Sequence, residues 1–404
     1  MTKKFLTYSI IFGIALRLIL AVTTYHGDLA ALVLAGKSLA VNHQFIDFYE
    51  SVFTVGKQGE LKLPDHKMIF IYQPLAYFLP GLFYLPFGGF INNIWEGLLH
   101  TGPYLLENKI IYLPLLIFKF PLILADLAII WFLPMLFKKQ NDKNLSQVLW
   151  ALNPLAIYVS SMIAQVDALL TFFLVVGLVA FKQNRFLLSA FLFTLSALVK
   201  PIGLILLPIV AIYSWQKTKN LVISLQTFFV GLLTYALVIA PFLPSVAYRQ
   251  YTLFAEHINK TLFAGIAIAP GTLIPLFFIT YALVTAFLIK QKISPLMALG
   301  TALLSSLAFT HFHPQWFVWL TPWLIYYVIT TKDWFSFFLT IIAWLTILFS
   351  FENSLTFGIF FGLGLSAPAI PTTVVPNLLQ LVFLSRAWLI ALFPIFLLSH
   401  ETKK

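Results

Sequence analysis

The stretch "FLTYSIIFGIALRLILAVTTYHGDLAAL", residues 5–32, passes from hydrocarbon chemistry to water within a few residues. Phe5–Thr23 is apolar apart from Arg17 and a few hydroxyls, and a helix of about 20 such residues crosses the ~30 Å hydrocarbon core of a bilayer. Lys3 and Lys4 precede the run, and His26 and Asp28 follow it. It is long for the core of a secretory signal, so it reads as an uncleaved first helix. Asp28 then stands where that helix meets water, ahead of a long polar stretch.

The rest of the chain repeats the pattern. Of its 404 residues 60% are hydrophobic and 10% are charged, with a mean hydropathy of +0.93, a composition no soluble globular domain shares. Further apolar runs cover Tyr112–Phe137, Leu145–Ser161, Ile163–Phe181, Leu221–Ala240, Gly271–Ile289, Ser294–Thr310, Phe317–Ile329, Phe335–Phe349 and Leu378–Leu398. They predict an all-α, polytopic transmembrane helix bundle of about twelve helices. Phe186–Val199 and Ile202–Tyr213 are each too short to span, so they predict a hairpin whose tip, Lys200-Pro201, lies below the outer surface. One domain over residues 1–404 is expected, with a long first outer loop, residues 24–111, that holds short helices. Within that loop Tyr72–Phe87, broken by Pro74, Pro80 and Pro86, reads as lying in the outer interface.

The formal net charge is +11, yet the basic residues form short clusters between apolar runs, which argues against a nucleic-acid partner. Lys138/Lys139/Lys143, Lys182/Arg185, Lys217/Lys219, Lys290/Lys292, Lys332 and both chain ends fall in alternate loops. The positive-inside rule puts those loops and both termini in the cytoplasm and the others outside a cell membrane. There is no cysteine, so disulfides, thiol chemistry and thiolate metal sites are excluded. No metal site is expected from the scattered acidic residues of the first loop. "ALVLAGKS" (31–38) and "GLGLSA" (362–367) imitate nucleotide-binding loops without the strand that such loops need.

This topology collects a set of polar residues at the outer ends of helices: Asp28, Gln165 and Asp167, Lys200, Arg249, His311 and His313. Polar groups at membrane depth are costly and mark function by default; the plain alternative for each is a solvated helix end. Arg17 and Asp126 lie level on oppositely running helices and read as a buried structural pair, which Lys119 extends outward. Arg386 in the last helix has no evident acidic partner, which points to an anionic ligand.

Five segments in order carry a resemblance. "YQPLAYF" (72–78), "FKFPLILADL" (118–127), "LNPLAIYVSSMIAQVDALL" (152–170), "LSALVKPIGLILLP" (195–208) and "HFHPQWFVWLTPW" (311–323) resemble the GT-C superfamily of polyprenyl-phosphate-sugar glycosyltransferases. The likeness is to bacterial members related to GPI and dolichyl-phosphate mannosyltransferases, with Ala164 standing where that pattern has glycine. The resemblance implies a hexose, mannose or another, moved from a polyprenyl-phosphate donor to a glycan, lipid or protein hydroxyl at the outer face. It implies Asp28 as the base, with basic residues such as Lys200, Arg249 and Arg386 holding the donor phosphate, and no cofactor. Gln165, Asp167 and His313 would complete the substrate site. A secondary transporter or lipid-carrier flippase is the competing class; it would show matched halves and polar residues near the midplane, whereas here they gather at one face.

Overall fold

The computed structural model describes residues 2–57, 71–100, 112–255, 262, 264–269, 271–310, 313–363 and 378–399. The first apolar run forms α1 (Lys3–Thr23), and the Thr2 hydroxyl caps it by accepting from the Phe5 N–H. Beyond Thr24 the chain folds back through α2 (Leu29–Gly36), whose residues are all buried. There follow α3 (Phe48–Lys57), α4 (Leu75–Tyr84) and α5 (Gly88–His100). α6 (Tyr112–Phe132) packs on α1, and α7 (Gln140–Ala151) packs on both. Gly13 lets α1 and α7 meet closely, since a Cβ there would fall 2.4 Å from the Ala151 carbonyl oxygen.

The Asn153-Pro154 step then restarts the helix. The Asn153 side chain accepts from the N–H groups of Leu155 and Ala156, and proline occupies the first turn, where no N–H is needed. α8 (Pro154–Ile157) widens at once into a π turn, Tyr158–Met162. α9 (Asp167–Lys182) and α10 (Phe186–Ala197) form an intimate pair, and a tight turn, Pro201–Leu206, leads to α11 (Leu207–Thr218). Next come α12 (Leu221–Ile239), the short α13 (Val246–Tyr248) and an antiparallel hairpin of β1 (Gly265–Ala269) and β2 (Thr272–Pro275). Its register pairs Gly265 with Pro275 and Ile266 with Ile274, with an irregularity between Ala267 and Ala269. α14 (Leu276–Ile289), α15 (Pro295–Ala308), α16 (Thr321–Thr331), α17 (Trp334–Phe349) and α18 (Leu378–Leu398) complete the described chain.

The expectation of about twelve spanning helices is corrected. Among the described residues five helices are long and apolar enough to cross a membrane: Lys3–Thr23, Leu75–Ile94, Tyr112–Leu136, Leu221–Phe242 and Leu378–Leu398. Leu29–Val41, Phe186–Ala197, Leu276–Ile289, Pro295–Ala308 and Trp334–Phe349 are apolar but shorter. Hydropathy runs straight through breaks that the backbone makes. Leu145–Ser161 is cut at Asn153-Pro154, Ile163–Phe181 loses its first turn, and Gly271–Ile289 loses its start to the hairpin. That hairpin also means the chain is mostly rather than wholly helical. Most of Tyr72–Phe87, assigned from its prolines to the interface, falls within Leu75–Ile94, which is long enough to cross; Pro80 sits inside α4, and Pro86 lies in the 3-10 turn Leu85–Phe87 that joins α4 to α5.

Buried apolar side chains from α2 through α18 form one continuous core. The outer surface is apolar as well: Tyr8, Ile11, Phe12 and Ile19 of α1 and Leu221, Phe229, Leu233 and Leu237 of α12 are exposed. A protein in water keeps such patches small, so the protein is membrane-associated. "ALVLAGKS" lies in α2 and the π turn Lys37–Val41, which rules out a phosphate loop; most of "GLGLSA" lies outside the described residues.

Candidate functional site

Arg17 and Asp126 are both buried, and Arg17 Nε donates to Asp126 Oδ2 at 2.6 Å. The guanidinium also donates to the carbonyls of Ala151 (2.6 Å), Gly13 (3.1 Å) and Trp150 (3.3 Å). Asp126 accepts further from Trp150 Nε1 at 2.8 Å and Ser160 Oγ at 2.6 Å. The pair therefore ties α1, α6, α7 and the Tyr158–Met162 turn together. The network continues through Ser160 and Ser161, whose hydroxyls are 3.1 Å apart, to Lys119, which donates to the carbonyls of Ser161 and Met162.

Immediately beyond that turn, Ala164 takes a left-handed conformation with φ 53°. Glycine adopts that region freely and alanine does so at a cost of about 1–2 kcal/mol, which is why a glycine pattern fits the position. Beyond the reversal Gln165 and Asp167 meet different partners. The Gln165 amide donates to Asp28 Oδ2, while Asp167 opens α9 and is fully buried.

Asp28 itself is open, with 53% of its side chain exposed. His26 is buried beside it, its Nδ1 accepting from the Asp28 N–H at 3.2 Å and lying 3.7 Å from Asp28 Oδ2. Burial and then the Asp28 carboxylate push the Tyr25 phenol up to about 12. Tyr72 is also pushed well above its usual range, first by burial and then by the charges of Asp28 and Asp167. Its phenol thus feels both carboxylates.

Lys200 reaches Asp167 Oδ2 at 2.7 Å, and Trp319 Nε1 donates to Asp167 Oδ1 at 2.7 Å. The same ammonium lies 4.3 Å from the Tyr72 ring centre and within 6 Å of those of Trp316 and Trp319, distances suited to cation–π attraction. Tyr72 is held in place by backbone bonds from Gln73 N to Val199 O (3.3 Å) and Leu75 N to Leu198 O (2.9 Å). The Tyr49 hydroxyl donates to Tyr72 O at 2.8 Å, and that of Tyr248 to Gln73 Oε1 at 2.7 Å. Asp167 thus supplies the counter-charge of Lys200 inside the protein.

The remaining residues are more peripheral. Arg249 donates to the carbonyls of Leu243 and Pro244 at the surface. Glu50 accepts there from Ser245 Oγ (2.9 Å) and Ala247 N (3.1 Å). Burial opposes its ionisation, but those bonds and Arg249 outweigh it and lower its carboxyl. His313 precedes the 3-10 turn Pro314–Trp319, with its ring 5.7 Å from Trp316 and 5.6 Å from Phe351. Arg386 is half-buried on α18, which packs chiefly on α15 and α17. His311, His257, Lys260, Glu60, Asp65 and Glu107 lie outside the described residues. No three metal-ligating side chains converge among those described.

The sequence gives Tyr72, Trp316 and Trp319 no individual role, and marks His26 only by its place beside Asp28. Trp316 and Trp319 do carry a signal: at i and i+3 of a 3-10 turn they share a face, and their rings stack 5.4 Å apart at 14°. The assembled site offers a half-exposed, oriented carboxylate next to a neutralised ion pair walled by aromatic rings. Such a carboxylate can take a proton from a hydroxyl, and aromatic faces suit a ring with apolar C–H faces. No curated protein matches the chain. A family model described as alpha-(1->6)-mannopyranosyltransferase, N-terminal domain (MptA_B_family), matches residues 101–216. Over that span, less than a third of the chain, which takes in α6 through most of α11 with Asp126, Gln165, Asp167 and Lys200, the protein is similar to a mannosyltransferase domain.

Proposed function

We propose that the protein is an integral-membrane glycosyltransferase that moves mannose or another hexose from a polyprenyl-phosphate donor to an acceptor hydroxyl of a glycan, lipid or protein. The observation that carries this reading is the half-exposed Asp28 carboxylate, oriented by Gln165 within the tyrosine and tryptophan surroundings of the Lys200–Asp167 pair. The mannosyltransferase-related match over residues 101–216 supports it. Asp28 is the general base. As the acceptor oxygen bonds to the anomeric carbon, its proton passes to the carboxylate. The bond from that carbon to the phosphate oxygen breaks, and its electron pair leaves with polyprenyl phosphate. A single displacement of this kind inverts the anomeric centre.

The leaving phosphate gathers negative charge, and nearby cations stabilise it most in the transition state. Lys200 donates one N–H to Asp167 and has others for the phosphate; Arg249 is the second cation. By the positive-inside rule the site faces outside, with both termini cytoplasmic. The test uses the full chain in vesicles with labelled undecaprenyl-phosphomannose and a synthetic mannoside acceptor. Asp28→Asn abolishes transfer and leaves donor binding within about twofold, as expected for a base that acts in the transition state. Full transfer by Asp28→Asn removes the mechanism, and movement of the lipid across the bilayer without transfer by the wild type assigns the chain to flippases instead.

A further inference from the structure

Lys119 lies within α6 with no exposed surface, and the mechanism above gives it no part. Its ammonium touches no carboxylate among the described residues. Instead Nζ donates to Thr24 O at 2.7 Å and to Ser161 O and Met162 O at 3.0 Å each, with Thr24 Oγ1 at 3.2 Å. Burying such a charge is costly, and its surroundings offset the cost. Thr24 follows the last turn of α1, and Ser161 and Met162 close the Tyr158–Met162 turn. These carbonyls are the negative ends of two helical segments that converge on one point, where a cation is stabilised. The Thr24 hydroxyl adds a weaker direct tie, its one hydrogen shared between Leu20 O at 2.5 Å and Met162 O at 3.0 Å.

Both segments lead into the site. Asp28 lies four residues beyond Thr24 and Gln165 three beyond Met162, and their side chains meet in the Gln165–Asp28 hydrogen bond. We propose that Lys119 is a positioning residue for sugar transfer, fixing the spacing of these two segments so that Gln165 holds the Asp28 carboxylate where it takes the acceptor's proton. The inference rests on the reading of Asp28 as base. Because Lys119 acts through Asp28, its loss appears in turnover and not in donor affinity.

The experiment measures transfer from undecaprenyl-phosphomannose by the full chain in vesicles, and amide hydrogen exchange of the same preparations. Lys119→Met lowers kcat by about 100-fold, the scale of a ~1 Å misplacement, with KM for the donor within about twofold. Thr24→Val, which removes the hydroxyl's contacts to Met162 O and Lys119 but keeps the three carbonyls, gives a smaller loss of the same kind, and Thr24→Ser restores it. Lys119→Met combined with Gln165→Ala loses no more than the worse single variant, because both act on one carboxylate. Independent, multiplicative losses or a change confined to KM overturn the proposal. If Lys119→Met does not fold, Thr24→Val, Thr24→Ser and Gln165→Ala decide it through the same cycle. Exchange at residues 24–32 and 161–166 rises in Lys119→Met, or in Thr24→Val, while α18 is unchanged. That readout holds even if the wild type transfers no sugar, an outcome that defeats the glycosyltransferase reading; unchanged exchange defeats the clamp.

Discussion

Asp126 accepts hydrogen bonds from Arg17, Trp150 and Ser160, and Arg17 in turn reaches three backbone carbonyls. Every charged atom of the pair thus has a partner inside the protein, the pattern expected of a structural pair. Removing one member leaves the other charged and buried, at a cost of about 3–5 kcal/mol. Arg17→Leu and Asp126→Leu are each expected to lower yield and melting temperature in detergent, and the double variant to recover part of the loss. Strict additivity in that cycle would show that the two do not act as a pair. The pairing was legible in the sequence because 1.5 Å per residue puts Arg17 and Asp126 at one level. The Lys200–Asp167 contact was not, because nothing in the spacing of residues 167 and 200 says that their side chains meet.

The α10–α11 hairpin shows what an element adds. Its two α-helices are 12 residues each, or ~18 Å; the shortness read for Phe186–Val199 holds, whereas the segment read as Ile202–Tyr213 runs on to Thr218, because the 3-10 turn Pro201–Leu206 leads into α11 without a break. That turn closes because Gly203 lies against α10, where a Cβ would sit 2.2 Å from Ser196 Oγ and 2.3 Å from the Phe193 carbonyl oxygen. Gly203→Ala is expected to push the Pro201–Leu206 turn off α10, destabilising by about 1–3 kcal/mol as overpacking does. Since Lys200 and its backbone neighbours hold Tyr72, the same variant should weaken donor binding. Thermal melting and donor titration on one preparation check both effects, and a wild-type melt would show that the turn has room to spare.

At the scale of the whole molecule, α9 separates two chemistries. Asp167 opens it among Lys200, Trp319 and Tyr72, whereas Lys182 closes it with a bond to the Leu136 carbonyl. Near that far end, Lys332 meets Asp142 at 3.4 Å. Lys182 and Lys332 thus lie toward the end of α9 away from Asp167, an arrangement that the positive-inside rule would turn into an orientation. The chain has no cysteine, so single cysteines report sidedness directly. Exposed Asn184 and Gln250 fall on opposite sides in this topology. Gln250→Cys is expected to react with an impermeant maleimide on intact cells, and Asn184→Cys only after permeabilisation. The reverse labelling would turn the protein over and place Asp28 at the cytoplasmic face.

The sequence by itself determined the class of protein, the first helix to within two residues at its start, the shortness of α10 and the level placement of Arg17 and Asp126. These follow from local quantities, apolar content and rise per residue, that need no partner. Tertiary structure decided how many helices are long enough to span and which polar groups meet. Breaks such as Asn153-Pro154 and the left-handed Ala164 redirect the backbone without changing hydropathy, so a residue count cannot register them. Asp167 meets Lys200 only because α9 and the turn after α10 pack together, and Lys119 finds its acceptors only where two helix ends close on its ammonium. A buried charge takes its meaning from the groups that surround it, and only the packing of distant segments supplies those.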